Sequence, residues 1–550
     1  MRNRKTRISA FSMLGLLLAF AIAASGCSKA NEGAGNGGSA SPGSASPGSA
    51  SPADKTIELK MISWQGQNMA YWNAYEEAIN DYMALHPNVK IEHIFQPLAN
   101  DGYNKLLDTQ FVAHKAPDLI DLQGANIGKY TDQDYILPLD PYLNQPTAYS
   151  DGTNWIDTFI GGDSGFSNLK TLNKYGAISF VPVDNGPGIA ENRPFFYNKT
   201  LLDKAGVTEI PQTWKQFMEA LEKVKAAGIT PIAADNNRWV KWITSWTSNQ
   251  FVDGYLDQFF DDKFKDSRAL DDAKRNLSVL NGDIDTDNPL VNAQYDLLKE
   301  FSQYWQDGWA GVDDLGAQQL FLFQQAAFIV DGNWNYNFYK ENIKDFEWGI
   351  MPFPLITKET TEYAAEGFPM GDNKLGAEGW ALNKDLEKDP DKLNAAVDFL
   401  QYITSKDAQQ KFVKTAMTIS SIVGVEAPEE LKPFIVSDKA TLAFPAKFLI
   451  FEGEVNGVAL SQQFYMNKMN KEEFLSKMKD SVMSKALKDA KTQLDKETGI
   501  PRTIASVEKD LADLKASNAS QVLIDDKQNT LDFLKLKLEL YEKYASDAIR

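Results

Sequence analysis

The 550-residue chain has one cysteine, Cys27, and three histidines, His86, His93 and His114. With no cysteine after Cys27, disulfides and thiolate metal sites are excluded, and three histidines do not furnish a histidine-rich metal site. Basic residues are outnumbered by acidic ones, 56 to 75, which gives a formal net charge of −19. That balance argues against nucleic acid and anionic membrane surfaces as main ligands. Past the N-terminal segment, no apolar run reaches the roughly 20 residues that a membrane-crossing helix needs. Hydrophobic content of 43% and charged content of 24% are ordinary for a globular protein. The length allows two or three domains, or one large bilobal unit.

The N-terminus supplies what the rest lacks. Arg2, Arg4, Lys5 and Arg7 form a basic region, an apolar stretch runs from Met13 to Ala24, and Ala24-Ser25-Gly26-Cys27 follows. This has the layout of a secretory signal with a small-residue cleavage site. The last four residues resemble the bacterial lipobox, in which the cysteine thiol receives a diacylglycerol and becomes the new N-terminus. Ala24 stands where that motif usually has Leu. An ordinary cleaved signal peptide and an uncleaved anchor are the alternatives. From Ser28 to Ala53 the chain is almost entirely Gly, Ser, Ala, Pro and Asn, with a repeated Ser-Ala-Ser-Pro-Gly unit. Such a segment cannot bury an apolar core. It is expected to act as a flexible tether with a typical reach of about 25–30 Å. The expected product is exported and held by its lipid at the outer face of the cell membrane.

Further on, apolar spacing predicts strands alternating with helices. Strands are expected over 57–64, 89–94, 118–122, 177–182, 195–197, 228–232, 346–350 and 379–382. Helices are expected over 71–86, 101–113, 214–227, 394–403 and 406–415, with Thr213 as an N-cap. The alternation implies an α/β fold with largely parallel sheets.

Four segments, in order, resemble the extracellular solute-binding proteins of ABC importers, in the sugar-binding branch related to maltose-binding protein. They are Ala116-Pro117-Asp118-Leu119-Ile120, Phe196 to Gly206 followed by Pro211-Gln212-Thr213-Trp214, Ala326 to Trp334, and Gly379-Trp380-Ala381-Leu382-Asn383-Lys384 followed by Ala395 to Gln409. The resemblance extends over about residues 56–491. It implies a two-lobed, periplasmic-binding-protein-like α/β fold with hinged crossover strands. Lobe one would take 56–177 and 371–425, and lobe two 178–370 and 426–499. Residues 1–26 would be the signal, 27–55 the lipidated tether and 500–550 a C-terminal helical extension where relatives usually end. The implied partners are a carbohydrate, expected to be an oligosaccharide, and the membrane subunits of an ABC importer. The protein would be a monomer, would touch the membrane only through the lipid on Cys27, and would carry no cofactor and no metal.

Sugar chemistry nominates the site. A pyranose offers a C–H face for an aromatic ring and a rim of hydroxyls for Asp, Asn, Gln or Arg. Such groups belong beyond the C-terminal ends of strands. Trp64 and Gln65 follow the first strand, Gln123 and Asn126 the third, and Asn185 the crossover strand, beside Asp184. Asp235, Trp239 and Trp242 follow the strand ending near Ile232. Asn333 and Trp334 lie in the turn that matches the family's aromatic ligand loop, and Trp380 lies at the second crossover. Trp214, Trp305, Trp309 and Trp348 are expected to be packing residues.

Two short motifs point elsewhere. Gly162-Asp163-Ser164-Gly165 matches the surroundings of a protease nucleophile, but the chain lacks a β-barrel pattern and the motif reads as a loop. The run from Asp283 to Asn288 mimics a calcium loop, yet has no Gly in sixth place and has Gln294 where a bidentate Glu belongs. Capping of the helix that begins at Pro289 explains it more simply. In the tail, Ile504, Val507, Leu511 and Leu514 mark one helix and Leu531, Leu534, Leu538, Tyr541 and Ala545 a second, expected to pack on lobe two as a hairpin. The competing functional reading is a surface-anchored carbohydrate-active enzyme, a glycosidase or polysaccharide lyase, and 75 acidic residues supply many accidental carboxylate pairs.

Overall fold

The first strand, β1 (Ile57–Ser63), alternates buried and exposed residues and then turns wholly buried. It pairs in parallel with β2 (Val89–Phe95) on one side and β3 (Leu119–Leu122) on the other. This computed structural model describes residues 55–66, 70–97, 102–122, 124–170, 175–184, 190–191, 195–236, 243–244, 247, 250, 271–282, 285–364, 372–373, 379–435, 457–517 and 521–549. Met1–Ala53 and Asp54–Arg550 are separate units. The expected signal (1–26) and the expected tether (27–55), save its last residue, lie outside the described residues.

The first sheet has the order β2-β1-β3-β11-β4, with β4 at Val181–Pro182 and β11 at Gly379–Leu382. β11 runs antiparallel to both neighbours, because it arrives from the far side of the molecule. The helix Ala70–Leu85 buries Tyr71, Trp72, Tyr75, Ile79 and Tyr82 in the core of this sheet or against it. The helices Pro390–Ile403 and Lys406–Ala416 complete that layer.

The second sheet has the order β7-β8-β6-β9: Thr230–Ala233, Ala326–Val330, Phe195–Asn198 and Trp348–Met351. Only its β7/β8 pair is parallel. Both sheets are therefore mixed, which corrects the expectation of largely parallel ones. The reason is connectivity: strands that cross between lobes return against the direction of their neighbours.

The helix Trp214–Ala226 starts at Thr213, whose side chain accepts from Gln216 N–H while Gln216 reaches back to the cap. This capping box fixes the helix entry. Trp214 behind it is 2% exposed and meets Phe217, Phe301 and Phe353 at ring-centroid distances of 6.1, 5.1 and 5.7 Å. Trp305 and Trp309 are likewise buried, whereas Trp348 is half-buried and stacks on Phe196.

Lobe one continues further than the sequence implied. Ile178, Phe180, Val181 and Val183 belong to the first core, because β4 pairs with β11. The boundary at 178 therefore moves past Val183. A two-stranded ribbon, β5 (Ala190–Glu191) against β10 (Asp372–Asn373), marks two of the chain's passages between lobes. A third is the stretch from Ile419, in a lobe-two core, through Ile422, in the lobe-one core, to Leu431 and Phe434, again in lobe two.

The C-terminal hairpin consists of the helices Ile500–Ala516 and Gln521–Tyr544. Its own core joins Ile500, Val507, Leu511, Leu531, Leu534, Leu540 and Tyr541 to Ala273, Leu277 and Ala490.

Candidate functional site

The end of β1 is tied to the end of β3. Ser63 Oγ donates to Asp121 Oδ2 at 2.8 Å, and Tyr103 OH donates to the Asp121 carbonyl at 2.6 Å. Gln65 N–H then donates to Ser63 Oγ at 3.0 Å, which seats the buried Gln65 side chain beside the strand end. Trp64 is half-buried against the lobe-one core, and its indole N–H has no partner among the described residues. Asn126, also half-buried, donates from Nδ2 to Asn104 Oδ1 at 3.1 Å. Sequence reasoning missed Tyr71, whose hydroxyl donates to Asp184 Oδ2 at 2.5 Å and contacts Thr418 Oγ1 at 2.8 Å. In the sequence Tyr71 stood only as the start of a helix. Nothing local in the sequence links it to two passages between the lobes.

In lobe two the chain leaves β7 at Asp235, which is 2% exposed. Gln306 holds that exit through both ends of its amide, accepting from Ala234 N–H at 2.7 Å and donating to Ala234 O at 2.6 Å. The neighbouring strand β8 ends in a more elaborate turn. Asp331 is fully buried and accepts from Gly332 N–H, Asn335 Nδ2, Gln318 Nε2 and Tyr339 OH at 2.7–3.0 Å. A carboxylate with four donors is a rigid frame. On it lies the Trp334 ring, so close to Gly332 that a Cβ there would sit 2.2 Å from ring atoms. Gly332 is thus required by close approach.

Between them, Asn333 is 1% exposed and neither Nδ2 nor Oδ1 has a partner among the described residues. A buried amide in that condition costs about 1–3 kcal/mol, and native folds seldom carry one without a use. The frame of Asp331, Gln318 and Tyr339 was not foreseen from sequence. The Asp331-Gly332-Asn333-Trp334 run was the only signal for it.

The site nominated from sequence is thus only partly visible. Gln123, Asn185, Trp239 and Trp242 lie outside the described residues. Trp64, Gln65 and Asn126 are at strand or helix ends of lobe one, and Asp235, Asn333 and Trp334 at strand ends of lobe two. Trp380 is corrected: it is fully buried, with its ring edge-on to Tyr75 at 5.1 Å and 89°. β11 lies inside the sheet, between β3 and β4, so its large side chain fills core under the Ala70–Leu85 helix.

Of the two distracting motifs, the first is described throughout, and the first two residues of the second, 283–284, lie outside the described residues. Gly162–Gly165 is a short helix rather than the expected loop, and Asp163 pairs with Lys170 at 2.7 Å. Asn288 caps the helix Pro289–Phe301 by accepting from Leu290 N–H. Lys479 Nζ lies 2.6 Å from Asp285 and 3.1 Å from Asp287. Burial pushes the Asp285 carboxyl up, but the Lys479 bond and the Asp287 N–H together hold it below its usual value. Among the described residues, no group of three His, Cys, Asp or Glu is arranged to hold a metal, and no helix is long and apolar enough to cross a membrane.

Strand ends carrying amides and an indole, on two sheets linked by crossing strands, can hydrogen-bond and stack on a polar ring-shaped solute. The comparisons with known proteins point the same way. The family described as bacterial extracellular solute-binding protein matches residues 68–410. The Multiple sugar-binding protein of Streptococcus mutans is 25% identical over 259 residues, 47% of this chain and 55% of that protein. The Maltodextrin-binding protein MdxE of Bacillus subtilis is 28% identical over 209 residues, 37% of this chain and 42% of its own. The chain thus spans about half the length of the curated relatives it matches. Among solved structures, a chitin oligosaccharide binding protein aligns with a TM-score of 0.55 at 20% identity, over 78% of this chain and 99% of that one. Apo RafE from Streptococcus pneumoniae aligns with a TM-score of 0.54 at 16% identity, over 79% and 99%. Likeness at this identity establishes the two-lobed fold.

Proposed function

This chain belongs to the bacterial extracellular solute-binding proteins, and from that premise we propose that it is a lipid-anchored receptor that captures a carbohydrate between its lobes. The sugar, an oligosaccharide in this reading, is handed to the membrane subunits of an ABC importer without being chemically changed. Cys27 carries the lipid, the Ser28 to Ala53 segment is the tether, and the receptor acts as a monomer on the outer face of the membrane.

One observation supports the reading most. The turn after β8 holds an indole and, side by side with it on a carboxylate frame, a buried amide with no partner among the described residues. A sugar ring would cover Trp334 with its C–H face and give Asn333 the hydroxyl partners it lacks. Trp64 and Gln65 in lobe one, and Asp235 in lobe two, would supply further contacts. The sugar-binding names of the two relatives support the same ligand class.

The test is a thermal-shift screen of neutral mono- and oligosaccharides, followed by calorimetry on the hits. A true ligand at about 100 times its Kd stabilises the fold by about 2.7 kcal/mol, and it is recovered intact after incubation. If no saccharide shifts the melting temperature, carbohydrate capture fails. If the saccharide is cleaved, the enzyme reading replaces it. Anchoring is tested separately: Cys27→Ser should move the protein from the membrane fraction to the medium or leave it unprocessed. A variant processed and retained like the parent would exclude the lipid.

A further inference from the structure

We propose that the C-terminal hairpin is a strap between the lobes that sets their resting separation. It was expected to pack on lobe two alone, and its root does lie there. In the helix Lys471–Leu494, Phe474, Leu475, Met478, Val482 and Ala486 belong to the lobe-two core, whereas Ala490 belongs to the hairpin core. The helix Asp271–Asn281 is divided likewise, with Val279 in the lobe-two core and Ala273 and Leu277 in the hairpin core. Two helices are thus shared, and the hairpin is continuous with lobe two.

The elbow into the hairpin is stiff. Asp495 Oδ1 accepts from Glu497 N–H, Thr498 N–H and Thr498 Oγ1 at 2.8–2.9 Å. A Cβ on Gly499 would lie 2.5–2.6 Å from three backbone carbonyls. Lys535 pairs with Glu508 at 2.8 Å and Tyr541 OH donates to Asp489, so the two hairpin helices and the root helix are joined to one another.

The far side of the hairpin rests on lobe one. Phe533 lies on Gly176, where a Cβ would come within 2.7–2.9 Å of the ring, and Gly176 has φ of +67°. Tyr175 packs against the hairpin core, and the helix Gln521–Tyr544 runs beside the short helix Asp140–Leu143. These belong to one patch of lobe one. Ile178 N–H donates to Asp140 Oδ2 at 2.8 Å, Leu139 N–H donates to Ile178 O at 2.7 Å, and Leu139, Leu143 and Ile178 lie in the lobe-one core.

Gly176 lies five residues before β4 (Val181–Pro182), on the last stretch of lobe one before the chain crosses to lobe two. A stiff arm rooted in one lobe and seated on the other cannot be indifferent to their rotation. Either the lobes turn about the Phe533 contact, or the ring must leave Gly176. Both make the contact part of the equilibrium between lobe arrangements. The inference rests on the reading of lobes that close on ligand, but its test needs no ligand.

Spin labels are placed on exposed positions of the two lobes, Lys90→Cys and Glu341→Cys, in a full-length Cys27→Ser background that has no other thiol. The inter-lobe distance distribution is read by pulsed electron resonance. Phe533→Ala should shift or broaden it by several ångströms without ligand, with the melting transition still cooperative, and Phe533→Leu should restore most of the parent distribution. If Phe533→Ala does not fold, Gly176→Ala tests the same contact from lobe one and should shift the distribution as well. If the folded variants superimpose on the parent, the strap is overturned. The parent measured with and without a saccharide hit reports on the capture reading alone, so the two failures are distinguishable.

Discussion

The Trp214 cluster and the Asp331–Trp334 turn sit in the same lobe and each presents an indole, yet they are built differently. Trp214 is enclosed by Phe217, Phe301 and Phe353, and its place is held by dispersion and excluded water. Trp334 is half-buried, laid on a glycine, and held by a turn whose order comes from hydrogen bonds to one buried carboxylate. The first region has every reason to stay as it is and none to meet a solute. The second is braced from below, and its Asn333 amide has no partner among the described residues. The contrast separates a residue that makes the fold from one that uses it.

The largest expected effect tests the first side. Trp214→Ala should destabilise the protein by about 3–5 kcal/mol in denaturant unfolding and leave the affinity of the folded fraction for a confirmed sugar unchanged. A loss below about 1 kcal/mol would show that the cluster is not the core it resembles. The second side is tested by Trp334→Ala. It should weaken sugar binding by about 1–3 kcal/mol in calorimetry and lower apo stability by much less than Trp214→Ala does. A drop in apo stability equal to that of Trp214→Ala would erase the distinction.

Asn333→Ala sharpens the comparison, because stability and binding should move in opposite directions. Removing a buried amide that has no partner among the described residues should leave apo stability unchanged or raise it by about 1 kcal/mol. The same change should weaken the sugar by at least tenfold. A clear loss of apo stability would mean that the amide is satisfied inside the fold.

The smallest effect lies in lobe one. His93 is stacked on Trp72 at 3.8 Å and 2.8 Å from Glu76, and burial holds its pKa below 6.5 although Glu76 opposes that shift. Below about pH 6.5 the unfolded chain takes up a proton that the folded ring resists, so stability falls as the pH drops. In His93→Phe the melting temperature should fall less between pH 7.5 and 5.5 than in the parent. An equal fall would place the acid sensitivity elsewhere.

Much of the fold was legible because period and capping agree. β1 carries its alternation, the Trp214 helix its Thr213–Gln216 box, and the hairpin its leucines. Strand direction was not legible, since neither composition nor period says that β11 enters the sheet against β3. The site was half legible. Asn333 and Trp334 follow a strand as polar and aromatic pairs do, and the turn chemistry around Asp331 explains their order. Trp380 misled because a strand-end tryptophan reads the same in sequence whether its strand lies at a rim or in the middle of a sheet. The seat of Phe533 on Gly176 joins residues about 360 positions apart, a distance over which local pattern carries no information.

The position of β11 also governs when the molecule can become itself. Lobe one begins at residue 57, but its sheet stays open beyond β3 until residues 379–382 have been made. A chain emerging N-terminus first must hold Ile120 and Asp121 without their pairing partners Ala381 and Trp380 while all of the second sheet is synthesised. During that interval β3 is a raw edge able to pair with a foreign strand. Non-local closure of this kind is slow. Lobe one is thus the first to begin and yet cannot close until two thirds of the chain has been made, and the length of that exposure is set by a four-residue strand at 379–382.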